Sequence, residues 1–315
     1  MLRKKSARNG IKKWLLAPFS VDRQSHQPDF ILLAVVVLLL FLGLLFLSSA
    51  SSSLAFHQRD QDIYFFVKQQ ILHGLLPGLL LFYITLRTNY QVYQKYFKLF
   101  FIISIVLLLL VFIPGLQLEG ASAKSWIKLG NISLQTSELV KLSFILFLAA
   151  WLSKTGLSVR NWRLGAWPFI SFLAVIAILI ILQPDIGTLS IIILTSLAMY
   201  FVAGASWKHL SGIIMAGLFG LALMVKAAPY RMNRFLAFLD PERDPLGITY
   251  QIRQALIAVG SGGLWGLGLG YSRQKFNYLP EPAGDSVFAI VSEEIGFIFV
   301  TLFVLLFALL MIRGF

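Results

Sequence analysis

Residues 30–50 read FILLAVVVLLLFLGLLFLSSA, and this stretch decides the fold class because it contains no charged residue. About 20 apolar residues suffice for an α-helix to cross a bilayer, and a helix satisfies its backbone polar groups internally. The rest of the chain is similar: it is 58% hydrophobic, with 27 Phe among 315 residues and a mean hydropathy of +0.79. The sequence therefore predicts an all-α integral membrane protein, a polytopic helical bundle.

Apolar windows of about 18–22 residues predict eight membrane-spanning helices. A long segment, 227–284, separates the seventh from the eighth, and the Ser48–Ser53 run is expected to begin a loop. No internal repeat is visible, so a single transmembrane domain over 1–315 is the simplest organisation. The approximate spans are 30–50, 64–86, 99–116, 137–153, 167–183, 188–205, 209–226 and 285–312.

The basic leader, 1–29, sets the expected orientation. A cleavable signal peptide is the alternative, but the first apolar run begins near residue 30 and is too long for the apolar region of such a peptide. With a cytoplasmic leader, the cytoplasmic segments carry 15 of the 27 basic residues and only two of the 14 acids, as the positive-inside rule requires. Ten of the acids then lie on or near the outer side, together with 227–284. Any chemistry is expected there.

Composition also excludes some kinds of site. The chain has no cysteine and only four scattered histidines, which excludes disulfides, thiolate metal sites and a cysteine nucleophile, and argues against a His-rich metal site. The net charge of +13 could indicate nucleic acid, but positive loops and anionic lipid explain it better in a membrane protein. We therefore expect no nucleic-acid partner.

Two parts of the long segment have recognisable patterns. TYQIRQALIAVGSGG, residues 249–263, predicts a short amphipathic helix with Ile252, Ala255, Leu256 and Val259 on one face, lying on the outer leaflet or against the bundle. The glycine-rich run GSGGLWGLGLG that follows lacks the Lys-Ser/Thr ending of a nucleotide-binding loop. It predicts tight turns that allow close approach of the backbone.

Asp285 is the acid best placed for chemistry, since it opens the eighth span after Pro282-Ala283-Gly284. Spacing alone favours an N-cap, because aspartate binds free amides and suits the positive end of the helix dipole. A carboxylate held there beside a cavity could also act as a general base. The two interpretations are compatible.

The other acids near the spans have structural alternatives. Glu138 and Lys141 are three residues apart, share a helix face and predict an ion pair inside the bundle. Asp185, in LQPDIG, either joins this pair or caps the sixth span. Glu293 and Glu294 are adjacent in the eighth span, and packing against polar neighbours is the favoured interpretation for both.

Six basic residues of the long segment lie on the expected outer side, where topology does not favour positive charge. A solvated charged face is one explanation. Arg and Lys also bind pyrophosphate through charge-assisted hydrogen bonds, so a lipid-linked phosphate substrate would explain them. These residues are Arg231, Arg234, Arg243, Arg253, Arg273 and Lys275.

The chain resembles the SEDS family (shape, elongation, division and sporulation), and its division branch more than its elongation branch. The resemblance covers most of residues 120–300. It is carried by GASAKSWIKLGNISLQTSELVK, LQPDIGT, GDSVFAIVSEEIGF and the long run from Pro229 to Glu281 that ends in GLGLGYSRQKFNYLPE. Departures from the family pattern are Thr136, the Ala283-Gly284-Asp285-Ser286 run and Ala255, none of which removes an acid or base. The family has ten spans and this sequence ends just after the eighth, which predicts a truncated chain or a member without two helices.

The resemblance implies a peptidoglycan glycosyltransferase that polymerises lipid II at the outer face of the bacterial cytoplasmic membrane, at the division septum. It implies that Asp285 is the essential acidic residue of the family and the catalytic residue. The implied partners are lipid II, undecaprenyl-pyrophosphate-linked glycan, a class B penicillin-binding protein and other division proteins. A divalent cation, Mg²⁺ or Mn²⁺, is the expected cofactor, and no organic cofactor is expected. The expected substrate-binding residues are Trp126, Glu138, Lys141, Asp185, Arg231, Arg234, Tyr250, Gln251, Gln274, Lys275 and Glu281.

Two functions from other classes remain alternatives. A transporter or flippase of lipid-linked precursors would also place charges in the membrane, but near its midplane. A non-catalytic division scaffold would tolerate the loss of Asp285. The preferred hypothesis is an inverting glycosyltransferase in which Asp285 deprotonates an acceptor hydroxyl and Glu281 serves the loop fold.

Overall fold

The structure is a computed structural model that describes residues 28–58, 62–117, 124–130, 132–227, 232, 236–237, 239–240, 244, 247, 249–276 and 278–314. The described residues divide into two compact units. The first unit is 87–223, and the second comprises 28–86 together with 224–314. The prediction of a single domain stays a prediction, because compactness alone does not decide whether the units fold together.

Helices dominate both units, as the apolar runs predicted. Short 3₁₀ and π turns occupy Gly156–Arg160, Ile71–Leu75 and Trp162–Ala166. In chain order the elements are α1 (Phe30–Gln58), α2 (Phe65–Gln70), α3 (Leu76–Arg87), α4 (Tyr90–Lys95), α5 (Phe97–Leu110), β1 (Trp126–Leu129), β2 (Ile132–Gln135), α6 (Thr136–Thr155), α7 (Trp167–Leu182), α8 (Ile186–Val202), α9 (Trp207–Ala227), α10 (Tyr250–Ser261) and α11 (Val287–Gly314).

Each of the eight predicted spans coincides with an apolar helical stretch. Five stretches of the described residues are long and apolar enough to cross a membrane: Phe30–Phe56, Phe65–Arg87, Thr136–Arg160, Trp162–Leu182 and Val287–Gly314. The remaining three predicted spans coincide with the shorter apolar helices Phe97–Leu110, Ile186–Val202 and Trp207–Leu223. The prediction of a polytopic helical membrane protein is confirmed.

The first unit packs around an aromatic core. The Phe101 and Phe147 rings stack with centroids 4.6 Å apart, which joins α5 to α6, and Phe169 stacks on Tyr200 at 4.2 Å, which joins α7 to α8. Stacked aromatic pairs stabilise a core beyond the area that they bury. At one end, β1 and β2 form an antiparallel hairpin in which Trp126 pairs with Gln135. The all-α prediction missed this hairpin, because its short strands fall in a segment that the spans leave as a loop.

The second unit joins α1 and α11 as antiparallel helices. Asp29, just before α1, pairs with Arg313 near the end of α11, with Nη2 2.7 Å from Oδ2. Further along, the rings of Phe46 and Phe303 meet edge to face at 5.3 Å. Ser51 and Ser53 lie inside α1 and are buried. The expectation that the Ser48–Ser53 run begins a loop was therefore wrong: serine is tolerated in a helix when its hydroxyl bonds a preceding carbonyl, as Ser51 Oγ does with Leu47 O at 2.6 Å.

The predicted amphipathic helix is α10, but the face that it buries differs from the expectation. Ala258 is buried in a cluster with Ala50, Leu279 and Ile290, and Ala255 packs against that cluster. Leu256 and Val259 are exposed. The small residues contact the unit because they allow the helix backbone to approach closely, whereas the larger apolar side chains are left outside.

Candidate functional site

The last helix, α11, is broken at Gly296, and the glycine-rich loop fills the break. Gly296 has φ 75° and ψ 174°, so the residues on either side cannot complete the helical hydrogen-bond pattern. Backbone groups of residues 263–268 complete it instead, which leaves a first half, 287–295, and a second half, 297–314. The bonds are Leu267 N to Glu293 O (3.0 Å), Gly268 N to Glu294 O (2.9 Å), Phe297 N to Gly263 O (2.9 Å) and Ile298 N to Leu264 O (3.2 Å).

This contact requires glycine on both sides. A Cβ added at Gly266, which has φ +83°, would overlap the carbonyl oxygen of Glu294. A Cβ added at Gly296 would overlap the amide nitrogen of Gly266. The prediction that the glycine-rich run allows close approach of the backbone is confirmed, and its partner is α11.

Glu293, in the first half of α11, holds the loop that follows the glycines. Its carboxylate is buried and accepts three hydrogen bonds. Ser272 Oγ donates at 2.5 Å, and the backbone amides of Arg273 and Gln274 each donate at 3.2 Å. The prediction of packing against polar neighbours is confirmed for this residue.

Glu294 joins three segments of the second unit. Ser49 Oγ of α1 lies 2.8 and 2.6 Å from its two carboxylate oxygens, and Lys275 Nζ lies 3.0 Å from Oε1. The same ammonium donates to Gly270 O at 2.6 Å. The pyrophosphate role expected of Lys275 would require this buried ion pair to open, so the structure assigns Lys275 to the fold instead.

The polar contacts between α1 and α11 fall at two levels that match the thickness of a membrane. Ser49 lies 20 positions after Asp29, and Arg313 lies 19 positions after Glu294, so each interval is about 30 Å at a helical rise of 1.5 Å per residue. A hydrocarbon core is also about 30 Å thick. The spacing is therefore that expected if Glu294 lies at one boundary of the apolar layer, where Lys275 balances its charge.

Asp285 lies in the turn that leads into the first half of α11. Its side chain is exposed and makes no hydrogen bond or ion pair with any residue that the structure describes. The helix begins at Val287, two residues later, so the N-cap interpretation was wrong. Ser286 occupies the cap position. The result is a carboxylate without a partner among the described residues, at the start of a firmly held half-helix.

The turn before Asp285 is closed by backbone hydrogen bonds. Glu281 has φ +50°, and its carbonyl oxygen accepts from Gly284 N at 3.0 Å and Ser286 N at 3.3 Å. This arrangement agrees with the structural role expected of Glu281 in the loop. Its side chain is nevertheless exposed, so a substrate contact by the carboxylate stays a prediction.

In the first unit, Glu138 and Lys141 form the predicted ion pair, with Nζ 2.7 Å from Oε1. The pair is more accessible than expected, because 55% of the Glu138 side chain and 23% of the Lys141 side chain are exposed. An exposed pair of this kind contributes little to stability. The expectation of a pair inside the bundle was therefore wrong for Glu138, which is accessible to a ligand.

Asp185 caps α8 rather than pairing with Lys141. Its carboxylate accepts from Thr188 N at 3.1 Å and from Thr188 Oγ1 at 2.9 Å. It also accepts from Ser137 Oγ at 3.0 Å and Gln135 Nε2 at 3.4 Å, which ties the hairpin and the start of α6 to α8. Of the two alternatives for Asp185, the structure supports the cap. A substrate that contacts Asp185 would have to share its carboxylate with these hydrogen bonds.

The other predicted ligands have varied surroundings. Trp126 is half-buried in β1, and Tyr250 is the half-buried first residue of α10. Gln251 donates to Ser286 Oγ at 3.3 Å. The Oε1 atom of Gln274 is buried and finds no hydrogen-bond partner among the described residues, which makes it an available acceptor. Arg231 and Arg234 lie outside the described residues.

Arg273 is a basic residue that the list of expected substrate-binding residues omitted. Its side chain is exposed, and within the described part of the chain the guanidinium has no ion pair. The backbone amide of the same residue bonds to Glu293, so its position in the loop is fixed. The sequence had already placed Arg273 among the basic residues of the long segment that could bind pyrophosphate.

A cavity of about 650 Å³ lies in the second unit between α1 and the second half of α11. Its walls are almost entirely apolar, including Leu42, Phe46, Leu302 and Phe303, and Trp265 and Glu294 stand at the end nearest the glycine-rich loop. Such a cavity suits an aliphatic chain whose polar head lies near the level of Glu294.

The expected divalent cation can be tested against the residues present. No group of three or more His, Asp or Glu side chains suited to a metal occurs among the described residues. Glu281 and Asp285 nevertheless share one turn, and Glu281 Oε2 lies 3.9 Å from the Cβ position of Gly284. Mg²⁺ commonly uses one or two carboxylates together with substrate phosphates, so a cation at this turn stays a prediction.

Comparison of the sequence with known proteins gives a consistent result. A family model for FtsW, RodA and SpoVE, described as "Cell cycle protein", matches residues 29–315. Stage V sporulation protein E of Bacillus subtilis (strain 168) is 42% identical over 91% of this chain and 78% of its own length. The probable peptidoglycan glycosyltransferase FtsW of Escherichia coli O157:H7 is 37% identical over 94% of this chain and 71% of its own length.

Solved structures show the same fold. A chain from work on the structural coordination of polymerization and crosslinking by a peptidoglycan synthase complex has a TM-score of 0.66 and 27% identity, over 90% of this chain and 76% of that one. The rod shape determining protein RodA of Thermus thermophilus has a TM-score of 0.59 and 25% identity, over 90% and 73%. The predicted resemblance to the SEDS family, and to its division branch more than to RodA, is confirmed. By identity the sporulation relative, at 42%, is more similar to this chain than the division relative, at 37%.

Proposed function

Because the chain belongs to the FtsW/RodA/SpoVE family of cell cycle proteins, we propose that it is a peptidoglycan glycosyltransferase that polymerises lipid II into glycan strands. The observation that carries the mechanism is Asp285: an exposed carboxylate without a partner among the described residues, at the start of a half-helix held by buried contacts. Relatives named as probable peptidoglycan glycosyltransferases support the reaction class.

In the proposed reaction, a carboxylate oxygen of Asp285 takes the proton of the acceptor sugar hydroxyl. The hydroxyl oxygen then forms a bond to the anomeric carbon of the donor, and the bond from that carbon to the pyrophosphate oxygen breaks with inversion. Asp285 suits the role because no described residue occupies its lone pairs. General-base catalysis is typically worth about 10²–10⁴-fold in rate.

The departing pyrophosphate requires positive charge. Arg273 is exposed and positioned by its own backbone bond to Glu293, and a guanidinium binds phosphate oxygens with two parallel hydrogen bonds. A divalent cation held by Glu281 together with the phosphates would add Lewis-acid stabilisation of the leaving group. We assign Arg273 to the pyrophosphate in place of Lys275, while Arg231 and Arg234 stay predicted ligands.

A lipid-linked substrate also needs space for its chain. The apolar cavity between α1 and α11 ends near Trp265 and Glu294, at one boundary of the apolar layer. This geometry supports binding of an isoprenoid tail in the layer while the pyrophosphate and sugars remain at its surface. Residues Glu138 and Lys141, as an accessible pair, are proposed to contact the polar part of the substrate.

The setting is the bacterial cytoplasmic membrane, with the leader inside and the 227–284 segment outside. The distribution of basic residues supports this orientation. It makes the Asp29–Arg313 level cytoplasmic and the Ser49–Glu294 level external. The similar chain from a peptidoglycan synthase complex supports a partner, for which we propose a class B penicillin-binding protein at the division septum.

The two other functional classes receive less support. A transporter would need free polar groups along a path through the apolar layer, whereas Glu293 and Glu294 are buried and bonded to the loop between α10 and α11. A scaffold would have no need for an exposed acid at Asp285 that has no partner among the described residues.

Polymerisation of purified lipid II tests the proposal directly. The protein and its penicillin-binding partner, reconstituted in nanodiscs, are expected to yield glycan strands on a gel, while Asp285→Asn is expected to yield none although it inserts and binds the partner. Near-normal polymerisation by a folded Asp285→Asn protein would remove Asp285 from the mechanism. If neither the wild type nor Asp285→Asn yields glycan, the result would favour the scaffold or the transporter.

A further inference from the structure

We propose that Ser286 and Gln251 are positioning residues that hold the turn carrying Asp285, an inference that rests on the proposed function. Neither residue touches the Asp285 carboxylate. They act on the backbone to which it is attached. The relevant feature is a chain of two hydrogen bonds, from Gln251 to Ser286 and from Ser286 to Pro280.

Ser286 is the residue that closes the turn. Its side chain is 3% exposed, and its Oγ donates to the carbonyl oxygen of Pro280 at 2.7 Å. Its amide donates to Glu281 O at 3.3 Å, and its carbonyl accepts from Ala289 N at 3.1 Å as the helix begins. One residue therefore fixes both ends of the turn 280–286, and Asp285 is its immediate neighbour.

Gln251 connects the turn to a separate helix. Its Nε2 donates to Ser286 Oγ at 3.3 Å from the first turn of α10. The same helix packs beside the turn through Ala258, which shares a buried cluster with Leu279 and Ile290 on either side of the turn. Gln251 was expected to bind substrate. The structure gives its amide a partner in the protein, and this partner lies next to the proposed base.

The exposure of Asp285 explains why the geometry of this turn should affect the rate. A carboxylate that makes no bond of its own to described residues has its position set only by its backbone. The backbone here includes Glu281 at φ +50°, which other residues must maintain because this region is unfavourable for a non-glycine residue. A misplacement of about 1 Å at a reacting group can cost about 10²-fold in rate.

The test compares kcat and KM for lipid II in the reconstituted complex. Ser286→Ala is expected to lower kcat by about 10- to 100-fold and to leave KM within about twofold, since the groups that bind substrate are unchanged. Gln251→Leu is expected to lower kcat by a smaller factor. The double variant should be no slower than Ser286→Ala, because both changes act through one hydroxyl.

Ser292→Ala is the matched control. Ser292 is also buried in the first half of α11, but among the described residues its hydroxyl bonds only Phe288 O within the helix, so the kcat of this variant is expected to stay near that of the wild type. Strictly additive losses, an effect on KM alone, or a kcat no lower than that of Ser292→Ala would each overturn the inference. If Ser286→Ala does not insert, Gln251→Leu decides alone, because this residue is only half-buried.

The same measurements separate this inference from the proposed function. Asp285→Asn is assayed in parallel. An active wild type with an inactive Asp285→Asn and an unimpaired Ser286→Ala would overturn the positioning role and leave the proposed function standing. A wild type that makes no glycan would overturn both.

Discussion

The ammonium of Lys275 lies 3.0 Å from Oε1 of Glu294, and the two side chains are only 3% and 1% exposed. Removing one member of a buried pair leaves an uncompensated charge, which typically costs about 3–5 kcal/mol. We therefore expect Lys275→Met and Glu294→Gln each to lower the thermal unfolding temperature in nanodiscs. The double variant should recover part of the loss.

The exposed pair Lys68–Asp62 is the control for this cycle. Its atoms are 2.9 Å apart, similar to the buried pair, but 67% and 38% of the side chains are exposed. Lys68→Met is expected to cost less than about 1 kcal/mol. Strictly additive losses for Lys275→Met and Glu294→Gln would show that the buried pair does not couple.

A second prediction concerns the ion pair at the other level of the same helices. The pKa of Asp29 lies below its usual value of 3.8, first because the Leu32 amide donates to its carboxylate and then because Arg313 does. A lowered pKa means that the ionised form favours folding, so its contribution is present above about pH 3.8 and is lost as the pH falls through the folded-state pKa. The difference in unfolding temperature between wild type and Asp29→Asn should be constant near neutral pH and shrink in acid. A difference that does not change with pH would contradict this origin.

Glu138 and Lys141 should show the opposite pattern, an effect on activity without an effect on stability. Their pair is accessible, with 55% of Glu138 exposed, so Glu138→Gln should change the free energy of unfolding by less than about 1 kcal/mol. If the pair contacts the polar part of lipid II, the same variant should raise KM. An unchanged KM and kcat would remove the pair from the substrate site.

Much of this fold follows from local sequence, because hydropathy alone identifies a membrane span. The run from Phe30 and the eighth span were both recognisable for this reason. The break at Gly296 was not, since Ile295 and Phe297 continue the apolar pattern on either side. The partner that stabilises the break is Gly266, thirty residues earlier, and no local pattern reports that contact.

The same distinction applies to the candidate site, where some features follow from local sequence and others depend on distant contacts. Asp285 was identified by its position at the start of a span, but the residue at the cap position is Ser286, since one residue of difference in a helix boundary cannot be read from spacing. Glu294 binds Ser49, 245 positions away, and this contact explains the helical serine run and the buried lysine together. Such pairings depend on which helices lie side by side, which hydropathy does not determine.

The break in α11 gives the last prediction. Gly296 has φ 75°, and an added Cβ would overlap the backbone of Gly266. Gly296→Ala should therefore cost about 3 kcal/mol or more, because it combines overpacking against backbone with an unfavourable conformation. Gly260→Ala is the matched control: this glycine lies within α10, and among the described residues no atom outside the neighbouring chain and helix backbone lies within 4 Å of its added Cβ. Alanine favours a helix over glycine by about 1 kcal/mol, so that variant should be as stable as the wild type or more so. Equal unfolding temperatures for the two variants would mean that the loop and the broken helix do not hold each other in place.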